Sequence, residues 1–360
     1  MNSLIPLPYY TPVYYHVLLL FVLVTLGHTL FQESGTHSAL LYNRVTCFIL
    51  LAFVVLYIGL RPVSGYFIDM TVYDNDYTRY RNGEAVRSDK DPGFYMFMEY
   101  CASIMGRGAF FLLCSAVYVM ASFIALRRWF PHYTFLALLI YAGSFSFWAY
   151  GTNGIRAGMA SALFIAGMAY TDKQWLMLLL FAAAVSFHGS LVLPLSAFAI
   201  SFLVKNTRVY FALWLLAILL SVTLGAFWET LLSGFETEDE RLSLYMTADI
   251  ARSGFRWDFL LYSAIGIFAG LYFIYRKSFH DPFYARILNT YILSNAFWVL
   301  VIRANYTNRF AYLSWFLMPL VIGYPLLKKT MFTHQYARTG VVIFIYYSFT
   351  YIMNVLLARQ

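Results

Sequence analysis

Along the chain, apolar runs of about twenty residues alternate with short polar breaks. Such runs are the signature of transmembrane helices. Twelve spans are predicted, at 13–31, 40–60, 108–126, 133–150, 155–171, 174–187, 189–204, 209–232, 258–275, 283–302, 310–327 and 339–357. The spans at 155–171 and 174–187 are short, as tilted, broken or re-entrant helices would be. The runs are continuous rather than alternating, which excludes a transmembrane β-barrel. The pattern predicts an all-α polytopic membrane protein, with residues 1–360 forming one integral-membrane domain. Two long polar segments, 61–107 and 233–257, read as loops.

Composition agrees. Of 360 residues, 61% are hydrophobic and only 12% charged, where a soluble domain carries about 25%. Mean hydropathy is +0.65. The N-terminal stretch MNSLIPLPYYTPVYYH lacks a basic start and a small-residue cleavage site, so it reads as the start of a mature chain. Cys47, Cys101 and Cys114 show no CxxC spacing and read as packing residues.

Charge orients the bundle. The segments 32–44, 127–132, 172–173, 205–208, 276–282 and 328–338, with Arg286, hold 12 Lys/Arg against three acids. The remaining segments hold 13 against 14. The positive-inside rule places the first set in the cytoplasm. The two sets alternate across all twelve spans, and both termini lie outside. The net charge of +8 thus reports topology, and no nucleic-acid partner is expected.

The outer face then collects the unusual polar residues. The stretch YDNDYTRYR, 73–81, mixes acids, rings and arginines. Aromatic faces beside planar hydrogen-bonding groups suit a sugar. Asp69, Tyr77 and Tyr80 are candidate sugar contacts, and Asp74 or Asp76 a candidate base. The plainer reading is a solvated loop whose acids pair with its own arginines. DxD also suggests a metal, but nucleotide sugars are cytoplasmic, so no metal is assigned. Asp91, Pro92, Gly93, Tyr95 and Glu99 close this polar segment.

Arg156 lies in TNGIRAGMASALF, where Asn153 and Gly154 supply a turn before an apolar run. A helix start beside an arginine suits an anion; the plainer reading is a snorkelling side chain. His188, in SFHGS, suits general acid or base chemistry near neutrality, or a phosphate contact. Its plainer role is to bond a helix-end carbonyl. RANYTNRF places Arg303, Asn308 and Arg309 before a span. Arg256 borders another, while the acids of ETEDE at 236–240 read as a solvated face. Arg61, Arg156, Arg256 and Arg309 thus stand at the outer ends of separate spans, as a pocket for a multiply charged anion would need.

These residues resemble a known family. GLRP at 59–62, YDNDYTRY at 73–80, DPGFYMF at 91–97, NGIRAGMASALF at 153–164, SFHGS at 186–190 and NRFAYL at 308–313 follow the order of the Wzy/EpsG-type polysaccharide polymerases. The family commonly carries glutamine after the arginine of the fourth motif; here it is Ala157. The resemblance implies a membrane glycosyltransferase similar to the GT-C architecture, in the bacterial inner membrane, with its active site on the periplasmic face. A glycan held on undecaprenyl pyrophosphate would move onto a new lipid-linked repeat unit, for O-antigen or exopolysaccharide. Arg156 and Arg309 would grip the pyrophosphate, with Arg61 and Arg256 assisting. An acid in 69–76 or His188 would orient or deprotonate the acceptor hydroxyl. No cofactor is expected, and there is no Walker-type loop. A chain-length regulator is a further expected partner. The competing readings are a flippase for the same lipid-linked oligosaccharide and an O-antigen ligase.

Overall fold

The computed structural model describes residues 5–86, 90–233, 254–304 and 307–357, without the side chains of 226 and 228–233. The acidic run at 236–240 and most of the expected loop at 233–257 lie outside the described residues, as do Asn305 and Tyr306. Among the described residues every regular element is helical. With no water in a bilayer core, each backbone donor and acceptor must be met within the segment, and the helix does this.

The helices group into two compact units. The first comprises residues 1–191 and 326–360. It contains α1 (Leu7–Phe31), α2 (His37–Gly59), α3 (Met70–Arg81), α4 (Pro92–Ile104), α5 (Arg107–Trp129), α6 (Thr134–Ala142), α7 (Phe145–Thr152), α8 (Ile155–Ala169) and α9 (Gln174–Phe187). The second comprises residues 192–325. It contains α10 (Val192–Leu203), α11 (Thr207–Ser233), α12 (Trp257–Leu271), α13 (Pro282–Leu300) and α14 (Thr307–Trp315). The helix α15 (Met318–Lys328) runs across the division, and α16 (Gln335–Tyr351) closes the first unit.

Each of the twelve expected spans has a helical counterpart. By length and apolarity, seven qualify to cross a membrane, or eight if α6 and α7 count as one. The chain is an all-α polytopic membrane protein. The segment 133–150, expected as one span, bends by 75° between α6 and α7, at Gly143 and an extended Ser144. Tyr14 Oη donates to the Ala142 carbonyl at the break, at 3.0 Å. A carbonyl freed from the helical ladder thereby finds a partner.

In the first unit α8 packs on α5 and α9, α2 on α5 and α6, and α1 on α16. The segment 61–107, expected as a loop, holds two helices. The apolar spacing explains α3: Met70, Tyr73 and Tyr77 recur at helical intervals and are buried, one face of a helix. Tyr77 stacks on Phe110 with centroids 4.5–7 Å apart, as such pairs prefer, here 4.7 Å. Its hydroxyl donates to the carbonyls of Cys101 at 3.2 Å and Met105 at 2.7 Å. This pins α3 to the end of α4.

The second unit is built round α13, which packs against α10, α11, α12 and α14. Asp281 caps it by accepting from Phe283 N and Tyr284 N, with Pro282 in the first turn, a strong helix start.

Candidate active site

The site grows from three helix ends in the first unit. Asp91 precedes Pro92 at the start of α4, with a left-handed backbone at φ 55° and ψ 49°. Aspartate tolerates that region better than most residues. Two residues on, Gly93 packs so closely on α9 that a Cβ would overlap Ser186. The Asp-Pro-Gly start therefore brings the Asp91 carboxylate to the end of α9. There His188 ends the helix in an extended conformation, and a 3-10 turn opens at Gly189.

Three donors converge on Asp91. Gly189 N donates to Oδ1 at 2.8 Å. Arg156 Nη1 donates to Oδ2 at 2.8 Å, and His188 Nδ1 lies 3.2 Å from the same oxygen. An ionised carboxylate only accepts, so the proton of this contact sits on Nδ1. Burial would raise the Asp91 pKa. The hydrogen bond and charge of His188, the Arg156 charge and the Gly189 N–H outweigh it and hold the carboxyl below its ordinary value.

Aromatic rings flank Arg156. Its guanidinium lies 5.7 Å from the ring centres of both Tyr73 and Tyr95, and its Nε donates to Tyr73 Oη at 3.4 Å. Burial raises the Tyr73 pKa, although the Arg156 charge opposes it. Arg156 reaches this position because α8 starts hard against α7. A Cβ on Gly158 would lie 2.5 Å from the Tyr150 carbonyl oxygen.

His188 is the most open member of the cluster. Its side chain is 29% exposed, against 20% for Arg156 and 8% for Asp91. Its Nε2 makes no hydrogen bond among the described residues and is not among their buried unpartnered atoms, so it reaches the surface.

The DxD acids separate. Two positions apart on a helix is a rotation of about 200°. Asp74 pairs with Arg107 at 3.4 Å. Asp76 belongs to the face that carries Asp69, Tyr73 and Tyr80, spaced as one helical stripe. Across from that stripe stand Tyr95 and Glu99 of α4, both within electrostatic reach of Tyr80. Tyr80 Oη also donates to the Val86 carbonyl at 3.3 Å. Tyr77 is buried in the core. Among the described residues no group of three His, Cys, Asp or Glu is placed to hold a metal ion.

The other arginines are placed differently. Arg61 is buried, donating to the carbonyls of Ile58 at 2.6 Å and Thr152 at 3.0 Å, between the rings of Phe67 and Phe111. Burial lowers its pKa to about 10, so it remains charged near neutrality. It ties the ends of α2 and α7, and its Nε is buried without a partner among the described residues. Asn153, at the end of α7, has a buried Oδ1 without a partner among the described residues. In the second unit Arg256 grips Asp258 through two bonds, at 2.9 and 2.6 Å. Arg303 lies against Gly225, with Nε buried and unpartnered among the described residues. Asn308 bonds Tyr312, and Arg309 is exposed on α14 with its charge near that ring.

Asp91 is the member that sequence reasoning missed. It stands among the polar residues at the end of 61–107 and carries no assigned role there. The available signal was local: an acid directly before Pro-Gly marks a helix start where a carboxylate is fixed. Its partners, 65 and 97 residues away, left no trace in spacing.

Fold and site together define a multi-pass helical membrane protein with a buried ionic cluster at the ends of α4, α8 and α9. The model of the EpsG family matches residues 44–360, and the chain belongs to that family, whose members serve polysaccharide biosynthesis. A search of curated proteins returns no match, and neither does a search of solved structures.

Proposed function

We propose that this protein is a polysaccharide polymerase working on lipid-linked glycans. It transfers a growing glycan from undecaprenyl pyrophosphate to a new lipid-linked repeat unit, at the periplasmic face of the bacterial inner membrane, in a GT-C-like frame. The product is O-antigen or exopolysaccharide. Membership of the EpsG family supports the reaction class. The observation that carries the reading is the part-exposed His188 imidazole, held through Nδ1 on Asp91 at the start of α4.

In this reading His188 takes the proton of the acceptor hydroxyl. Asp69, Asp76 and Tyr80, half-buried along one side of α3, receive the acceptor sugar. The family resemblance assigns Arg309 to the donor pyrophosphate, where negative charge grows as the bond breaks. The donor is already activated, so no nucleotide is required.

The test is polymerisation of a synthetic undecaprenyl-pyrophosphate repeat unit by the purified protein, beside His188→Gln and Arg309→Ala, with EDTA present. A glycan ladder from the wild type, lost in both folded variants, supports the polymerase. Movement of the intact lipid between proteoliposome leaflets without a ladder assigns transport instead. Transfer to a different acceptor without chain growth assigns a ligase.

A further inference from the structure

We infer that Asp91 is the positioning residue of this site: it holds His188 with Nδ1 protonated and Nε2 open, and Arg156 serves Asp91 rather than the donor phosphate. The catalytic consequence rests on the polymerase reading; the positioning itself does not.

The geometry carries it. Asp91 Oδ2 receives both Arg156 Nη1 and His188 Nδ1, while Oδ1 takes Gly189 N–H. Each oxygen is engaged, and the carboxylate is nearly buried. A buried carboxylate with one cation and two further donors is a finished structural unit. Arg156 spends Nη1 on Asp91 and Nε on Tyr73, with the Tyr73 and Tyr95 rings beside it, so only Nη2 remains to meet a ligand.

The tautomer follows from the acceptor. A hydrogen bond at one ring nitrogen decides which nitrogen carries the proton. Nδ1–H against Asp91 leaves Nε2 with its lone pair toward the surface. In the transfer step the acceptor O–H gives its proton to Nε2, and its oxygen forms the bond to the donor's anomeric carbon. The bond from that carbon to the phosphate oxygen breaks, and its electron pair leaves with the pyrophosphate. The imidazolium so formed is stabilised by Asp91 and later releases its proton to water.

The experiment has two arms. First, the full-length protein labelled with 15N-histidine is examined by NMR in nanodiscs, without substrate, at alkaline pH. His188 is assigned by difference from His188→Gln. The Nδ1–H tautomer is expected in the wild type and in Asp91→Glu, and the Nε2–H form in Asp91→Ala. A wild-type His188 in the Nε2–H form overturns the proposal even if Asp91→Ala does not fold.

Second, polymerisation is measured kinetically. Asp91→Ala is expected to lower kcat by about 100-fold or more, the scale of general-base catalysis. KM for the lipid donor stays within about twofold, since uniform binding is untouched. Asp91→Glu recovers at least part of the loss. Arg156→Gln follows the same pattern. A raised donor KM at unchanged kcat in Arg156→Gln places Arg156 on the phosphate and overturns the proposal. If the wild type makes no ladder, the polymerase reading fails, while the tautomer arm still decides the role of Asp91.

Discussion

Arg156 and Arg256 look alike in the sequence. Each borders an apolar run, beside a turn. In the folded chain Arg156 pairs with an acid 65 residues away, and the Asp91 side chain is only 8% exposed. Arg256 pairs with an acid two residues away, and that Asp258 side chain is 49% exposed. The first pair organises three helix ends; the second secures one helix start. Partner distance along the chain and solvent access, rather than residue type, separate a site from a cap.

The comparison breaks most sharply on substitution. Arg156→Ala leaves the Asp91 charge buried with only His188 and Gly189, and is expected to cost about 3 kcal/mol, the scale of a broken buried pair. Arg256→Ala costs about 0.5 kcal/mol, as exposed pairs do. Thermal unfolding of the two variants in the same detergent checks this, and equal losses would remove the distinction.

A change of backbone approach comes next. Gly93→Ala overlaps Ser186 and drives α4 from α9, at about 2 kcal/mol by the usual cost of overpacking. Activity falls with stability, because Asp91 moves with the helix. Gly106→Ala, where nothing lies within 4 Å, stays within about 0.5 kcal/mol as open-surface changes do. Denaturation midpoints of the two alanine variants measure the difference.

Tyr77→Phe tests whether this ring is core or ligand contact. Loss of a hydroxyl bonded to two carbonyls is expected to cost about 1 kcal/mol. The midpoint drops while KM for the acceptor holds; a raised KM with unchanged stability would return Tyr77 to the sugar site.

The smallest effect is in acid. The Asp91 carboxyl is held below its ordinary value, so its contribution is fully present above the unfolded value of about 3.9. It fades as pH falls through the lower folded value. Stability of the wild type should decline from about pH 4 downward, and Asp91→Ala should show a shallower acid limb. Parallel limbs would mean that Asp91 adds nothing to acid stability.

Much of the fold was legible because membrane helices are written locally. Twenty apolar residues make a helix whatever surrounds them, so all twelve apolar segments reappear as helices. The α6–α7 break was not legible, since it depends on Gly143 fitting against Tyr347 and on Tyr14 meeting the Ala142 carbonyl. The segment 61–107 concealed α3 because its polar residues masked the buried face of Met70, Tyr73 and Tyr77. Of the candidate site residues, Arg156 and His188 were legible as polar groups out of place beside apolar runs. Asp91 was not, because an acid in a polar segment is ordinary until its partners are known. Arg61 was noticed for the same reason as Arg156, yet its Nη atoms are spent on the carbonyls that end two helices.

By itself, then, the sequence determined a polytopic helical membrane protein and the kinds of side chain gathered at the ends of its spans. Hydrophobicity and helix formation are sums over neighbouring residues, so order along the chain contains them. Only the tertiary structure decided which charge meets which. A guanidinium, an imidazole and a carboxylate find each other through the close approach of α4 to α9 and of α8 to α7, and those contacts join residues far apart in the chain.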